Sequence, residues 1–68
     1  RMDTSFRDLL NEIRIRRACD FLRRTERSLA QIAQDVGFAD QSYFTKVFHR
    51  HLGCNPREYR ISHARRGL

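Results

Sequence analysis

The chain has 68 residues, room for one domain with a thin core, because so short a chain buries only about 60% of the surface its unfolded form exposes. It is 40% hydrophobic, with no apolar run near the roughly 18 residues of a membrane span and no signal-peptide pattern, so a soluble cytoplasmic protein is expected. Fourteen Lys and Arg against eight Asp and Glu, net +6, point to a polyanionic partner, nucleic acid ahead of an anionic membrane. The excess is uneven: residues 40–68 hold six basic and two acidic residues, residues 1–39 eight and six, which makes the C-terminal half the expected contact surface. Cys19 and Cys54 lack metal-site spacing and read as reduced, small apolar side chains.

Caps and hydrophobic periodicity predict four helices and no strand. The first, over residues 5–24, carries two apolar stripes. Phe6, Leu9, Leu10 and Ile13 gather on one side, and Ile15, Ala18, Cys19 and Leu22 on a side turned by more than a third of a circle. A helix resting on one core keeps one stripe. Two offset stripes suit a connecting helix with a different partner for each half. Too little sequence precedes Phe6 to supply the first partner, so the chain is expected to be a fragment.

Ser28-Leu29-Ala30-Gln31 reads as a reciprocal capping box opening a helix over residues 29–36, which buries Leu29, Ile32, Ala33 and Val36. Gly37 stops it, Phe38 and Ala39 form the turn, and Asp40 caps the next helix. That third helix, residues 41–52, divides cleanly. Phe44, Val47, Phe48 and Leu52 form an inner side flanked by Tyr43, while Gln41, Ser42, Thr45, Lys46, His49 and Arg50 fill the outer side. Gly53 ends it. Asn55 as N-cap, Pro56 at the first helical position and Glu58 two residues on predict a closing helix over residues 56–62, docked by Tyr59 and Ile61. The tail after Ser62 is expected to fray.

Two short helices joined by a tight Gly-containing turn, the second amphipathic, describe a helix-turn-helix. The outer side of residues 41–50 suits a DNA major groove. Gln41 can pair bidentately with adenine, Lys46 can donate to guanine, and Ser42 and Thr45 make versatile short-range contacts. His49 and Arg50, further along, suit phosphates. An ordinary solvated face carries Glu–Lys pairs, and this one has no acid after Asp40. Ser28 and Leu29, at the N-terminus of the preceding helix, offer a second phosphate contact, or else the cap satisfies those amides itself.

The strings Arg14-Ile15…Ala18…Leu22, Leu29–Phe38, Ser42–Phe48 and Gly53…Asn55-Pro56…Tyr59-Arg60 closely resemble the AraC/XylS family of transcription regulators, without a gap over about residues 5–60. The resemblance implies an all-α, homeodomain-like helix-turn-helix that binds double-stranded DNA and regulates transcription. In that frame, residues 5–24 are a connecting helix, 28–52 the second helix-turn-helix, and 55–68 a closing helix and tail. It also implies a first helix-turn-helix and an effector or dimerisation domain elsewhere in the full-length protein. The family's base-reading positions fall on Gln41, Ser42, Thr45 and Lys46. The chain departs from the family at His49 and His51, where Lys or Arg is common.

Two other functions are open to the same residues. One is an interaction module docking RNA polymerase through Arg50 and the basic residues between Arg57 and Arg66. The other is the AraC-like region of a DNA-repair methyltransferase, which needs a reactive Cys. No cofactor, metal site or enzymatic grouping is expected: His49 and His51 point to different sides of a helix, and no nucleophile–base pair or phosphate loop is present.

Overall fold

The computed structural model describes residues 5–64. They form four helices: α1 (Phe6–Arg24), α2 (Leu29–Asp35), α3 (Gln41–Leu52) and α4 (Pro56–Ala64). No strand occurs among the described residues, and no helix there is long and apolar enough to cross a membrane.

Each helix starts on a side-chain cap. Ser5 Oγ accepts from the Asp8 amide, Ser28 Oγ from Gln31 and Asp40 Oδ1 from Tyr43, which satisfies amides that a helix leaves without internal partners. The box expected at Ser28 is only half made, because the Gln31 side chain donates forward to Asp35 Oδ1 at 2.8 Å. The reciprocal box sits at α4 instead: the Asn55 amide donates to Glu58 Oε1 at 3.0 Å, and the Glu58 amide to Asn55 Oδ1 at 2.8 Å.

The α2–α3 turn is set by a Schellman closure. The Phe38 amide donates to the Ala33 carbonyl and the Gly37 amide to that of Gln34, with Gly37 at φ +105°.

One core joins the helices. Ile15, Ala18 and Leu22 of α1 meet Ile32 and Ala33 of α2, Val36 and Phe38 after it, and Phe44, Val47 and Phe48 of α3. Tyr59 brings α4 onto this core, its ring edge-on to Phe48 at 5.6 Å. Most of the first apolar stripe of α1 stays outside: Phe6 is 79% exposed, Leu9 50% and Ile13 55%, with Leu10 half-buried. The second stripe supplies the apolar residues that α1 gives to this core.

Two core expectations are corrected, and one core residue is added. Leu52 is exposed because it follows Gln41 by about three helical turns and so emerges on the outer side of α3. Ile61 is 54% exposed, since two residues of helix turn it away from Tyr59, and Pro56 is buried in its place. Phe38 is buried rather than a mere turn residue, its ring against Tyr43 and Phe44 at 5.7 and 5.4 Å. Helix α4 also runs two residues beyond its predicted end at Ser62; the rest of the expected frayed tail, with Arg65 and Arg66, lies outside the described residues.

Candidate nucleic-acid interface

Burial of Phe44, Val47 and Phe48 fixes which way α3 faces. The opposite side then projects outward, as 3.6-residue periodicity requires. Gln41, Ser42, Lys46, His49 and Arg50 are exposed and Thr45 is half-buried. Gln41, Ser42, Thr45 and Lys46 together line one shallow groove of about 420 Å³. The four residues assigned to base reading thus form a single surface in the first half of α3. His49 and Arg50 lie in its last turn with His51, where positive charge also complements the negative end of the helix dipole.

Ser28 is exposed at the start of α2 and Leu29 is half-buried. The Ser28 hydroxyl already holds the Gln31 amide at 3.1 Å, so it is engaged as a cap.

Much of the positive charge is engaged within the protein. Arg16 pairs with Glu12 at 3.2 Å, and Arg23 pairs with Asp20 and donates to the Tyr59 hydroxyl at 2.9 Å. Arg27 bonds Asp35 at 2.6 Å and lies over the Phe21 ring. Arg60 turns inward, Nε donating to the Leu22 carbonyl at 3.3 Å and Nη2 to that of Thr25 at 3.1 Å. Arg60 therefore cannot serve the outward basic surface expected of the C-terminal half. Lys46, Arg50 and Arg57 remain exposed there.

Composition and periodicity gave no role to two polar residues of α1 that lie beside the start of α3. Asn11 is buried in α1 and donates from Nδ2 to the Tyr43 hydroxyl at 3.4 Å. Arg14 lies over Phe38, with Cζ 5.8 Å from the ring centroid. The signal for Asn11 was available: with Ile15, Ala18 and Leu22 it completes a four-three-four spacing along one side of α1, a polar residue in a core register.

Neither cysteine forms a disulfide, and both are half-buried. Burial pushes the Cys19 thiol up, against a hydrogen bond to Tyr59 and the nearby Arg23 charge. A reactive thiolate needs the opposite shift. No group of three potential metal ligands occurs among the described residues.

Comparison with known proteins agrees with this geometry. Residues 1–62 match the family described as Helix-turn-helix domain. The HTH-type transcriptional activator RhaR of Mannheimia succiniciproducens is 43% identical over 51 residues, 75% of this chain and 18% of that protein. The virulence regulon transcriptional activator VirF of Yersinia enterocolitica is 38% identical over 53 residues, 78% of this chain and 20% of that protein. Among solved structures, the C-terminal domain of the two-component response regulator yesN from Fusobacterium nucleatum superposes with a TM-score of 0.79 at 36% identity, covering 81% of this chain and 53% of that one. The chain spans no more than about a fifth of the length of these curated relatives.

Proposed function

Because the chain belongs to the AraC/XylS family of helix-turn-helix proteins, we propose that it binds double-stranded DNA sequence-specifically and contributes that reading to a transcription regulator. The observation that carries the reading is the outer side of α3: four short or flexible polar side chains around one groove, with no carboxylate after Asp40. In a helix-turn-helix the second helix enters the major groove and its N-terminal residues meet base edges. Gln41, Ser42, Thr45 and Lys46 occupy that half of α3. Gln41 reads adenine, Lys46 donates to guanine, and Ser42 and Thr45 make the shorter contacts. His49 and Arg50, with the backbone at Ser28 and Leu29, contact phosphates and set register.

The test is selection from a duplex library with a randomised core, followed by binding of the selected duplex at several salt concentrations. Affinity should fall steeply with salt, and Gln41→Ala or Lys46→Ala should each cost about 1–3 kcal/mol of base discrimination. A chain that enriches no sequence, or keeps its full preference with both residues removed, contradicts the reading.

Helix α1 we read as a connecting helix, with a further helical unit and a sensing or dimerising domain in the whole protein. Its exposed Phe6, Leu9 and Ile13 suit an additional packed layer. For docking of RNA polymerase, Arg60 is turned inward, and Arg50 and Arg57 are the exposed arginines of that set among the described residues.

A further inference from the structure

Helix α1 touches α3 and the turn before it through polar side chains. Arg14, Asn11, Tyr43 and Phe38 form one linked group around the turn that aims α3. The Arg14 guanidinium lies across Gly37: a Cβ at Gly37 would stand 3.0 Å from Arg14 Nε and 3.2 Å from Cζ. The same guanidinium reaches over the Phe38 ring. Phe38 in turn holds the Tyr43 ring edge-on at 5.7 Å, and Tyr43 accepts at its hydroxyl from the buried Asn11. Tyr43 belongs to the first turn of α3, directly after Gln41 and Ser42 and three residues before Lys46. Any rotation of α3 that moves the reading groove must therefore break or stretch this group.

From this arrangement we infer that Arg14 and Asn11 are positioning residues for base recognition: they touch no base, and they fix the α2–α3 angle through the Gly37–Phe38 turn and through Tyr43. The inference rests on the DNA-reading function proposed above. Its physical reason is tolerance. Base-edge hydrogen bonds require placement within about 0.5 Å, which packing of the outer helix face on solvent cannot give. A planar guanidinium suits this place because it can lie flat on a glycine backbone and an aromatic ring together, which a lysine ammonium cannot. The close approach also explains why residue 37 has no side chain, beyond its positive φ.

The experiment compares the 68-residue chain with Arg14→Lys, Arg14→Gln and Tyr43→Phe, the last removing only the hydroxyl. Each is tested against the library-selected duplex and against that duplex with single base changes, with the salt slope and thermal midpoint recorded in parallel. The expected result is a loss of roughly tenfold in discrimination for both Arg14 variants, and a smaller loss in the same direction for Tyr43→Phe, with folding retained and the salt slope unchanged. Arg14→Lys behaving as the parent chain overturns the inference, as does a salt slope lowered by about 0.9, which marks a direct phosphate contact. Should an Arg14 variant fail to fold, Tyr43→Phe decides alone: undiminished discrimination refutes the positioning role. If the parent chain itself shows no base preference, the reading function fails instead, and the two outcomes are distinct.

Discussion

Arg60 closes the C-terminal end of α1: its Nε donates to the Leu22 carbonyl at 3.3 Å, joining the last helix to the first across 38 positions of sequence. Its Nη2 extends the same closure to Thr25. A charged donor thus satisfies carbonyls that the end of α1 leaves without helical partners, at the negative end of its dipole.

Arg60→Ala should therefore destabilise the fold by about 1–3 kcal/mol, as a half-buried charge-assisted hydrogen bond is lost and carbonyls are left bare. Arg57→Ala, on the exposed side of the same helix, should change stability by no more than about 0.5 kcal/mol. Urea midpoints at unchanged slope make the comparison. Equal effects from the two would remove the structural role given to Arg60.

The aromatic core is the larger risk. Phe48 is fully buried, with Phe44 at 5.8 Å and Tyr59 at 5.6 Å between ring centroids. Phe48→Ala should cost about 3–5 kcal/mol. A domain of this size has a total stability of only a few to about 10 kcal/mol, so the variant should be largely unfolded on warming, visible as early loss of helical circular dichroism.

The phosphate assignment is separable from base reading. Arg50→Ala should weaken binding alike on matched and altered duplexes, and lower the salt slope by about 0.9, while Thr45→Val should alter base preference and leave the slope intact. Titrations at two or three salt concentrations distinguish them.

Asp35 gives a pH dependence. The Gln31 amide foremost, and then Arg27, hold its carboxylate below its ordinary range. A carboxylate depressed in the folded state stabilises it above the unfolded value of about 3.9, and the contribution is lost as pH falls through the lower folded value. Asp35→Asn should therefore lower stability modestly near neutrality, converge with the parent chain in acid where the carboxyl is protonated, and so flatten the acid limb of the stability curve below about pH 4. A parallel limb in both proteins would show that Asp35 does not contribute.

The apolar face of α1 should prove dispensable to this domain. Phe6→Glu should leave the unfolding free energy of the chain, read from urea midpoints, within about 0.5 kcal/mol of the parent, because Phe6 is 79% exposed. A drop comparable to that of Phe48→Ala would place Phe6 in the core.

Local chemistry determined a good deal of this protein before any coordinates. The caps at Ser28, Asp40 and Asn55, the stops at Gly37 and Gly53, and the 3.6-residue spacing of Phe44, Val47 and Phe48 set four helices within two residues of their observed ends, and set the inward side of α3. These features act within a turn or two of helix, so spacing alone reveals them. Tertiary structure decided what depends on residues far apart in the chain. Arg60 turned out to close α1, Phe38 to enter the core, and Asn11 and Arg14 to hold the turn and the first residues of α3. An arginine reads as solvent-facing charge until the fold brings a carbonyl, a ring or a glycine backbone against it, and only packing brings them together.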